Sequence, residues 1–217
     1  MKRTLSWAFA LGLMWSPVLL QAAQPQTGRL SIDKHHIKVW TYQTPQNPVA
    51  SYKAETTFNV PLERAVALIL DVEHAHQWVP YMGKIKILSR DEQAGEYLLY
   101  VVMDLPFPLK DRDMIIKSKV SRDSKGVVSI RNRGLDDNRL SQSDYVRLKD
   151  YQGDWTFQSL GPDTVKVSTM GYVNPEGSLP ISFMNMFVEQ QPYQMLKKMK
   201  TQLDTPQTFG PLPKVLK

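Results

Sequence analysis

The feature that most constrains the fold is a series of short strand-like segments followed by one long amphipathic helix. Between residues 84 and 173, six segments rich in Val, Ile, Tyr and Thr are separated by short turns. These segments are Lys84–Ser89, Glu96–Asp104, Arg112–Ser121, Val127–Arg133, Tyr145–Gln158 and Thr164–Val173. Short connections favour antiparallel neighbours. The last amphipathic segment begins near Pro180 and is predicted to be helical to about Leu203.

The residues before this region predict two more strands and a helix. Ile37–Tyr42 and Ser51–Val60 alternate apolar with polar side chains, and Pro61 stands where a helix to about Val72 would begin. One face of a curved sheet must be covered by another amphipathic element, and only the last helix is long enough to do this. We therefore predict an α+β fold, a curved antiparallel sheet wrapped around the C-terminal helix.

The N-terminus has the pattern of a secretory signal peptide. Lys2 and Arg3 precede an uncharged, mostly apolar stretch from Leu5 to Leu20, and cleavage is expected after Ala22. Pro17 and the shortness of the stretch argue against a membrane span, although an uncleaved anchor is the alternative. We expect a signal peptide at residues 1–22, a flexible segment at 23–34, one domain at 35–205 and an irregular tail at 206–217. The expected location is periplasmic or secreted.

Composition excludes several classes of protein. The 217 residues include no Cys, which excludes disulfide scaffolds, zinc-thiolate and iron–sulfur sites, and cysteine enzymes. Cleavage of the signal peptide removes Lys2 and Arg3 and lowers the formal charge from +6 to +4. Such a mildly basic chain is not expected to have a nucleic-acid partner. Asp71, Glu73, His74 and His76 are close in sequence, but positions i and i+2 do not share a helix face, so no metal site is predicted.

The alternation of each strand predicts which side chains point inward. The inward sets are Val165, Val167, Thr169, Gly171 and Val173; Arg112, Met114, Ile116, Ser118 and Val120; and Trp155 with Phe157. Many of these are small, so the space above them must be filled by large side chains of the helix or by a ligand. The alternation leaves both possibilities open. In Glu96–Asp104 both faces are apolar and no inward face is predicted, while Gly153 suggests a bulge or bend.

The last helix is rich in methionine, which adapts to irregular apolar shapes. This composition is compatible with ordinary core packing and with the wall of a cavity. Pro192 lies inside the helical pattern and is expected to bend the helix near Glu189.

Three stretches resemble the START family of lipid-transfer domains, here in a bacterial exported form within the Bet v 1-like superfamily. They are Asp71–Trp78 with Lys84–Leu88, Leu105–Pro108 leading to Arg112–Ile115, and Gly177–Pro180 with Asn185, Gln191-Pro192 and Leu196. The resemblance implies a helix-grip fold with a lipid-sized hydrophobic tunnel. It also implies binding or transfer without a cofactor, and a gate formed by the last helix with the loops Leu105–Lys110 and Gly134–Ser143.

The resemblance makes Arg112 the residue expected to place a charge at the cavity. Asp104 and Glu96 are its candidate carboxylate partners, and the alternative is that Arg112 lies at the exposed start of its strand. The expected cavity-lining set is Trp78, Leu99, Val101, Met103, Arg112, Met114, Ile116, Trp155, Phe157, Val167, Thr169, Gly171, Phe183, Met184, Phe187, Val188 and Met195, with Pro192 at the gate.

The sequence therefore predicts a monomer that binds a lipid or other apolar small molecule, with transient membrane contact and no catalytic residue. A cyclase- or hydrolase-type enzyme on the same scaffold is one alternative. An envelope interaction module with a vestigial pocket is the other.

Overall fold

A computed structural model describes residues 28–44, 47–138, 140, 144–177 and 179–217. The predicted signal peptide lies outside the described residues, as do Ser178 and part of the loop Gly134–Ser143. The strands are β1 (Arg29–Lys34), β2 (Ile37–Thr44), β3 (Asn47–Phe58), β4 (Met82–Asp91), β5 (Glu96–Met103), β6 (Arg112–Arg122), β7 (Val128–Leu135), β8 (Val146–Arg147), β9 (Tyr151–Gly161) and β10 (Thr164–Val173). The α-helices are α1 (Leu62–Leu70) and α2 (Ile181–Asp204), and short 3-10 helices span Val72–Gln77 and Lys214–Leu216.

The strands form one sheet in the order β1-β2-β3-β10-β9-β7-β6-β5-β4, with β8 beside β6. Every pairing is antiparallel except the short parallel contact between β6 and β8. Helix α2 packs across the sheet, and α1 packs beside it. The predicted helix-grip arrangement of a curved antiparallel sheet and a long C-terminal helix is confirmed.

The core is concentrated where α1 meets the C-terminal half of α2. Val66 and Leu68 of α1, together with Leu196 and Met199 of α2, are almost fully buried there. Arg64 anchors the end of α2, because its guanidinium donates hydrogen bonds to the carbonyls of Leu203, Thr205 and Gln207. This half of α2 is therefore fixed from two sides.

The N-terminal part of the described chain departs from the prediction. Residues 29–34, expected to be flexible, form the edge strand β1, which pairs with β2. The turn between them is His35-His36, and both residues have positive φ (54° and 61°). Such turns usually carry Gly or Asn, so the sequence contained no recognisable turn signal. His35 Nδ1 and Tyr193 Oη share a hydrogen bond of 2.7 Å, which ties this turn to α2.

Two details of the later strands differ from the prediction. The expected single strand Tyr145–Gln158 is divided into β8 and β9. Gly153 makes no bulge, since β9 keeps a regular register with both neighbours around this position.

The outer face of the sheet carries a second, smaller apolar cluster. Tyr100, Val102 and Ile115 are buried there under Leu135 and Tyr145. Beside it, Arg147 donates to both carboxylate oxygens of Asp113 at 2.8 Å, and Tyr100 Oη donates to the same carboxylate at 3.1 Å. The segment around β8 is thus held against the start of β6.

In the described part of the chain, neither helix has the length and apolar character needed to cross a bilayer.

Candidate functional site

A cavity of about 200 Å³ lies between the concave face of the sheet, the N-terminal half of α2 and the α1–β4 connection. On this measure one water needs roughly 10–15 Å³, so the interior is hollow rather than solidly packed. The wall is mostly apolar. The predicted residues that lie on it are Trp78, Leu99, Val101, Met103, Arg112, Met114, Ile116, Trp155, Gly171, Phe183, Met184, Phe187, Val188 and Met195.

The remaining predicted positions are elsewhere. Phe157 and Val167 are fully buried in the core, and Thr169 is buried at the same end of the sheet, so none of the three lines the cavity. Their inward orientation was predicted correctly. However, α1 and the anchored half of α2 fill the space above that end. Pro192 lies inside α2 at the junction between its two halves and not on the wall.

The mouth of the cavity is formed by the start of α2 and neighbouring loops. Phe187 packs on Tyr81 with ring centroids 5.5 Å apart, and on Phe183 at 6.5 Å. Leu105 of the β5–β6 loop also lines the cavity, and Phe107 at the tip of this loop is 97% exposed. The Phe107 ring is therefore available for contact with another surface.

Arg112 is the one charged residue among the described lining residues. It is only 4% exposed, which rules out the alternative of an exposed strand start. Its guanidinium donates to the Lys110 carbonyl, whereas its Nε has no partner. Burial lowers the pKa of Arg112, because the low-polarity surroundings disfavour its charge, and the nearby Asp111 carboxylate opposes this effect only in part.

The predicted carboxylate partners do not reach Arg112. Glu96 binds Lys117 and Lys119 on the outer face, at 3.2 and 3.1 Å. Glu96 and Arg112 are at opposite ends of the β5–β6 pair, since Arg112 is opposite Met103. The Asp104 carboxylate lies against Gly83 at the sheet edge. The strand alternation alone did not distinguish these positions, because both faces of β5 are apolar.

Several cavity-lining residues were absent from the predicted set. These are the polar side chains of Tyr52, Tyr97, Ser118, Asn132 and Tyr151. Burial raises the pKa of Tyr52 to about 12, with a smaller opposing effect from Thr169, and burial also raises the pKa of Tyr151. Both phenols are therefore neutral at physiological pH. The inward orientation of Ser118 was predicted, but strand alternation does not show which residues of different strands lie side by side.

The aromatic residues of the wall are in mutual contact. Trp78 meets Trp155 edge-to-face with ring centroids 6.0 Å apart, and Trp155 stacks on Phe157 at 6.3 Å. Trp78 Nε1 is buried without a hydrogen-bond partner. These contacts support the wall at the place where the cavity meets the core.

The described residues contain no cluster of three or more His, Cys, Asp or Glu side chains suited to a metal ion. His74 instead pairs with Asp71 at 2.8 Å on the surface, and this contact raises the pKa of the imidazole.

The sequence of this chain is similar to those of several known proteins. Residues 58–200 match the family described as polyketide cyclase / dehydrase and lipid transport. An uncharacterised protein of Pseudomonas aeruginosa is 24% identical over 80% of this chain and 85% of its own length. The bovine phosphatidylcholine transfer protein is 25% identical over 78% of this chain and 81% of its own.

Solved structures agree on the architecture. The STAR-related lipid transfer protein from Xanthomonas axonopodis superposes with a TM-score of 0.75 at 22% identity, covering 82% of this chain and 99% of that one. Human STARD10 superposes with a TM-score of 0.73 at 22% identity, covering 81% and 72%. With the family match spanning well over half of its length, the chain belongs to the polyketide cyclase / dehydrase and lipid transport family, with the helix-grip fold of its START members.

Proposed function

We propose that the protein binds a single lipid, with the hydrocarbon part inside the cavity. A negatively charged part of the headgroup, such as a phosphate, would lie at Arg112. The observation that carries this proposal is an apolar wall whose one charged side chain, among the described lining residues, is a buried arginine. It forms no salt bridge with the described residues, and the nearby Asp111 carboxylate offsets the burial of its charge only in part. A buried cation needs a counter-charge, and a phosphate or carboxylate matches the planar donor array of a guanidinium. The names of the related proteins support the same class of ligand.

The chemistry of the wall favours binding over catalysis. Apart from Arg112, the titratable side chains on the described wall are tyrosines, and those with resolved shifts have raised pKa values. A neutral phenol is a hydrogen-bond donor and a poor general base at physiological pH. Apolar burial would supply most of the affinity, at roughly 25 cal/mol per Å² before the costs of binding.

Delivery requires contact with a membrane, and the β5–β6 loop is suited to it. Phe107 extends from this loop fully into solvent beside the mouth. We propose that Phe107 enters the bilayer surface, and that the N-terminal half of α2 moves about Pro192 to admit the lipid. The anchored C-terminal half of α2 would stay in place during this movement.

We also propose that the protein works in the cell envelope after export. This part depends on the sequence pattern of residues 1–22. Fractionation of cells and N-terminal sequencing of the mature protein would test it, with a mature N-terminus at Ala23 as the expected result.

The lipid proposal is tested by identifying what copurifies with the protein. Organic extraction and native mass spectrometry of the wild type should give one lipid per protein molecule. Met114→Trp and Met195→Trp fill the cavity from opposite walls and should copurify with less lipid, at a packing cost of about 1–3 kcal/mol each. Circular dichroism identifies a variant that fails to fold, and the other variant then decides. A wild type that purifies without any lipid, and takes none from vesicles, contradicts the proposal.

A further inference from the structure

Six neighbouring positions across the inner face of the sheet form a row without a single aliphatic side chain. The strand register pairs each position with the next, across β5, β6, β7, β9, β10 and β3 in that order. Every one of the six lines the cavity. The members of this polar row are Tyr97, Ser118, Asn132, Gly153, Gly171 and Tyr52. Inward side chains two residues away on the same strands are largely apolar, including Leu99, Ile116, Ile130, Trp155 and Ala54. The polar row therefore crosses a mostly apolar wall at one level.

The two glycines of the row make room for tyrosine rings. A Cβ atom at Gly171 would lie 2.3 Å from Cε1 of Tyr52, and one at Gly153 would lie 2.2 Å from Oη of Tyr151. The rings of Tyr52 and Tyr151 thus lie against the sheet instead of extending across the cavity. This packing explains why Gly153 occupies a regular strand without a bulge, and it keeps two phenol groups on the wall.

The hydrogen-bonding capacity of this region is poorly used within the protein. The Tyr97 hydroxyl is buried without a partner of hydrogen-bonding geometry in a residue only 6% exposed, while the Arg90 guanidinium lies over the Tyr97 ring, 5.5 Å from its centroid. The Tyr52 hydroxyl lies near Thr169 but without hydrogen-bonding geometry, since Thr169 Oγ1 is also buried without a partner. Asn132 Nδ2 donates to the Gly153 carbonyl at 2.7 Å, which points the amide along the row. An unsatisfied buried hydroxyl on the wall costs free energy, and a ligand oxygen at the level of the row would satisfy it.

We propose that the polar row is a second subsite, which hydrogen-bonds an oxygen atom within the hydrocarbon part of the bound lipid. This inference rests on the lipid binding proposed above. Ser118 follows Arg112 by six residues on β6, which corresponds to about 20 Å along a strand. A lipid with its charged group at Arg112 would thus reach the row far along its hydrocarbon chain. The ligand class that fits both subsites is an anionic or zwitterionic lipid with a hydroxyl or carbonyl group distant from its headgroup.

The test compares stearate with its 2-hydroxy and 17-hydroxy derivatives by displacement of a fluorescent fatty acid from the delipidated protein. The wild type should bind 17-hydroxystearate about tenfold more tightly than stearate, the effect of one well-placed hydrogen bond. The 2-hydroxy derivative carries its hydroxyl beside the carboxylate, so it should show no such gain.

Variants locate the effect at the row. Tyr52→Phe, Tyr97→Phe and Ser118→Ala should each reduce the preference for 17-hydroxystearate over stearate. Tyr145→Phe, which alters a tyrosine of the outer cluster, is the matched control and should keep the preference. Tyr97→Phe removes an unsatisfied buried hydroxyl, so the melting temperature of the empty protein should stay equal or rise. A purely structural role for the hydroxyl predicts a lower melting temperature.

The outcomes separate the two proposals. Equal affinity of the wild type for stearate and 17-hydroxystearate overturns the subsite and leaves lipid binding intact. A preference that survives all three row variants also overturns it. Failure of the protein to bind any of the fatty acids or to carry a copurified lipid overturns both proposals together.

Discussion

Replacement of Arg112 by methionine should stabilise the empty protein and weaken its binding of anionic lipids. Arg112 is 4% exposed, its Nε has no partner, and burial lowers its pKa. An unsatisfied buried polar group costs roughly 1–3 kcal/mol, and methionine fills a similar volume without that cost. The Lys110 carbonyl, which loses its donor, belongs to an exposed residue and can bind water instead.

The expected gain is therefore about 1–3 kcal/mol in the free energy of unfolding of the empty protein. For a domain of this size each kcal/mol moves the melting temperature by about 2–4 °C, so the expected rise is about 2–12 °C. The bound state should change in the opposite direction. A hydrogen bond to a charged group contributes about 1.5–3 kcal/mol, so the affinity for a phospholipid should fall about 10- to 150-fold.

The assay measures both quantities on delipidated protein. Urea unfolding reports stability, and displacement binding compares phosphatidylglycerol with a diacylglycerol of the same acyl chains, which lacks the phosphate. Arg112→Met should reduce the preference for phosphatidylglycerol while leaving diacylglycerol binding unchanged. Arg131→Met, at an exposed position of β7, is the control and should alter stability by less than about 0.5 kcal/mol. A destabilised Arg112→Met protein with an unchanged preference between the two lipids would refute the reasoning.

Three further predictions concern the gate, the membrane contact and the outer ion pair. Pro192→Ala restores a backbone donor inside α2, so lipid exchange between vesicles should slow while the circular dichroism spectrum is unchanged; equal exchange rates would count against the hinge. Phe107→Ala should slow lipid transfer without altering stability, whereas Leu160→Ala, 56% exposed at the far end of β9, should have no effect on transfer; equal effects would exclude a specific contact. Arg147→Met leaves the Asp113 carboxylate buried without its ion pair, and urea unfolding should show a loss of about 3–5 kcal/mol in the free energy of unfolding. Lys200→Met, in the exposed pair with Asp204, should lose at most about 1 kcal/mol. Similar losses in the two variants would show that the buried pair has no special role.

Local periodicity was sufficient for the elements that bury one face. Most strands from Met82 to Val173 and helix α2 were found because apolar residues recur at spacings of two or at helical spacing, although β8 and β9 were predicted as one strand. Strand β1 was missed since the His35-His36 turn lacks the usual Gly or Asn. In β5 the inward face could not be predicted, because Tyr100 and Val102 are buried by the outer cluster instead of facing water.

The site was predictable to the extent that it depends on single strands. Arg112 and Ser118 were assigned inward from the alternation of β6 alone. The polar row could not be found in this way, because it exists only through the register of six strands, and register is a tertiary property. The same limit explains Phe157, Val167 and Thr169, which point inward but under the anchored half of α2. Alternation identifies the face of a residue and does not show what packs above it.

Arg112 and Asp113 are consecutive on β6 and face opposite sides of the sheet, so one dipeptide places two buried charges in different surroundings. On the outer face Asp113, 1% exposed, has its charge balanced by Arg147 and Tyr100. On the inner face Arg112 forms no salt bridge with the described residues, and the nearby Asp111 offsets the burial of its charge only in part. The first arrangement stabilises the empty protein, whereas the second costs stability until a ligand supplies the counter-charge. A ligand that binds only the folded state adds stability in proportion to the logarithm of its concentration over its dissociation constant. With the proposed lipid, the inner charge therefore biases the fold toward its loaded state, whereas the outer ion pair holds the start of β6 in the empty protein as well.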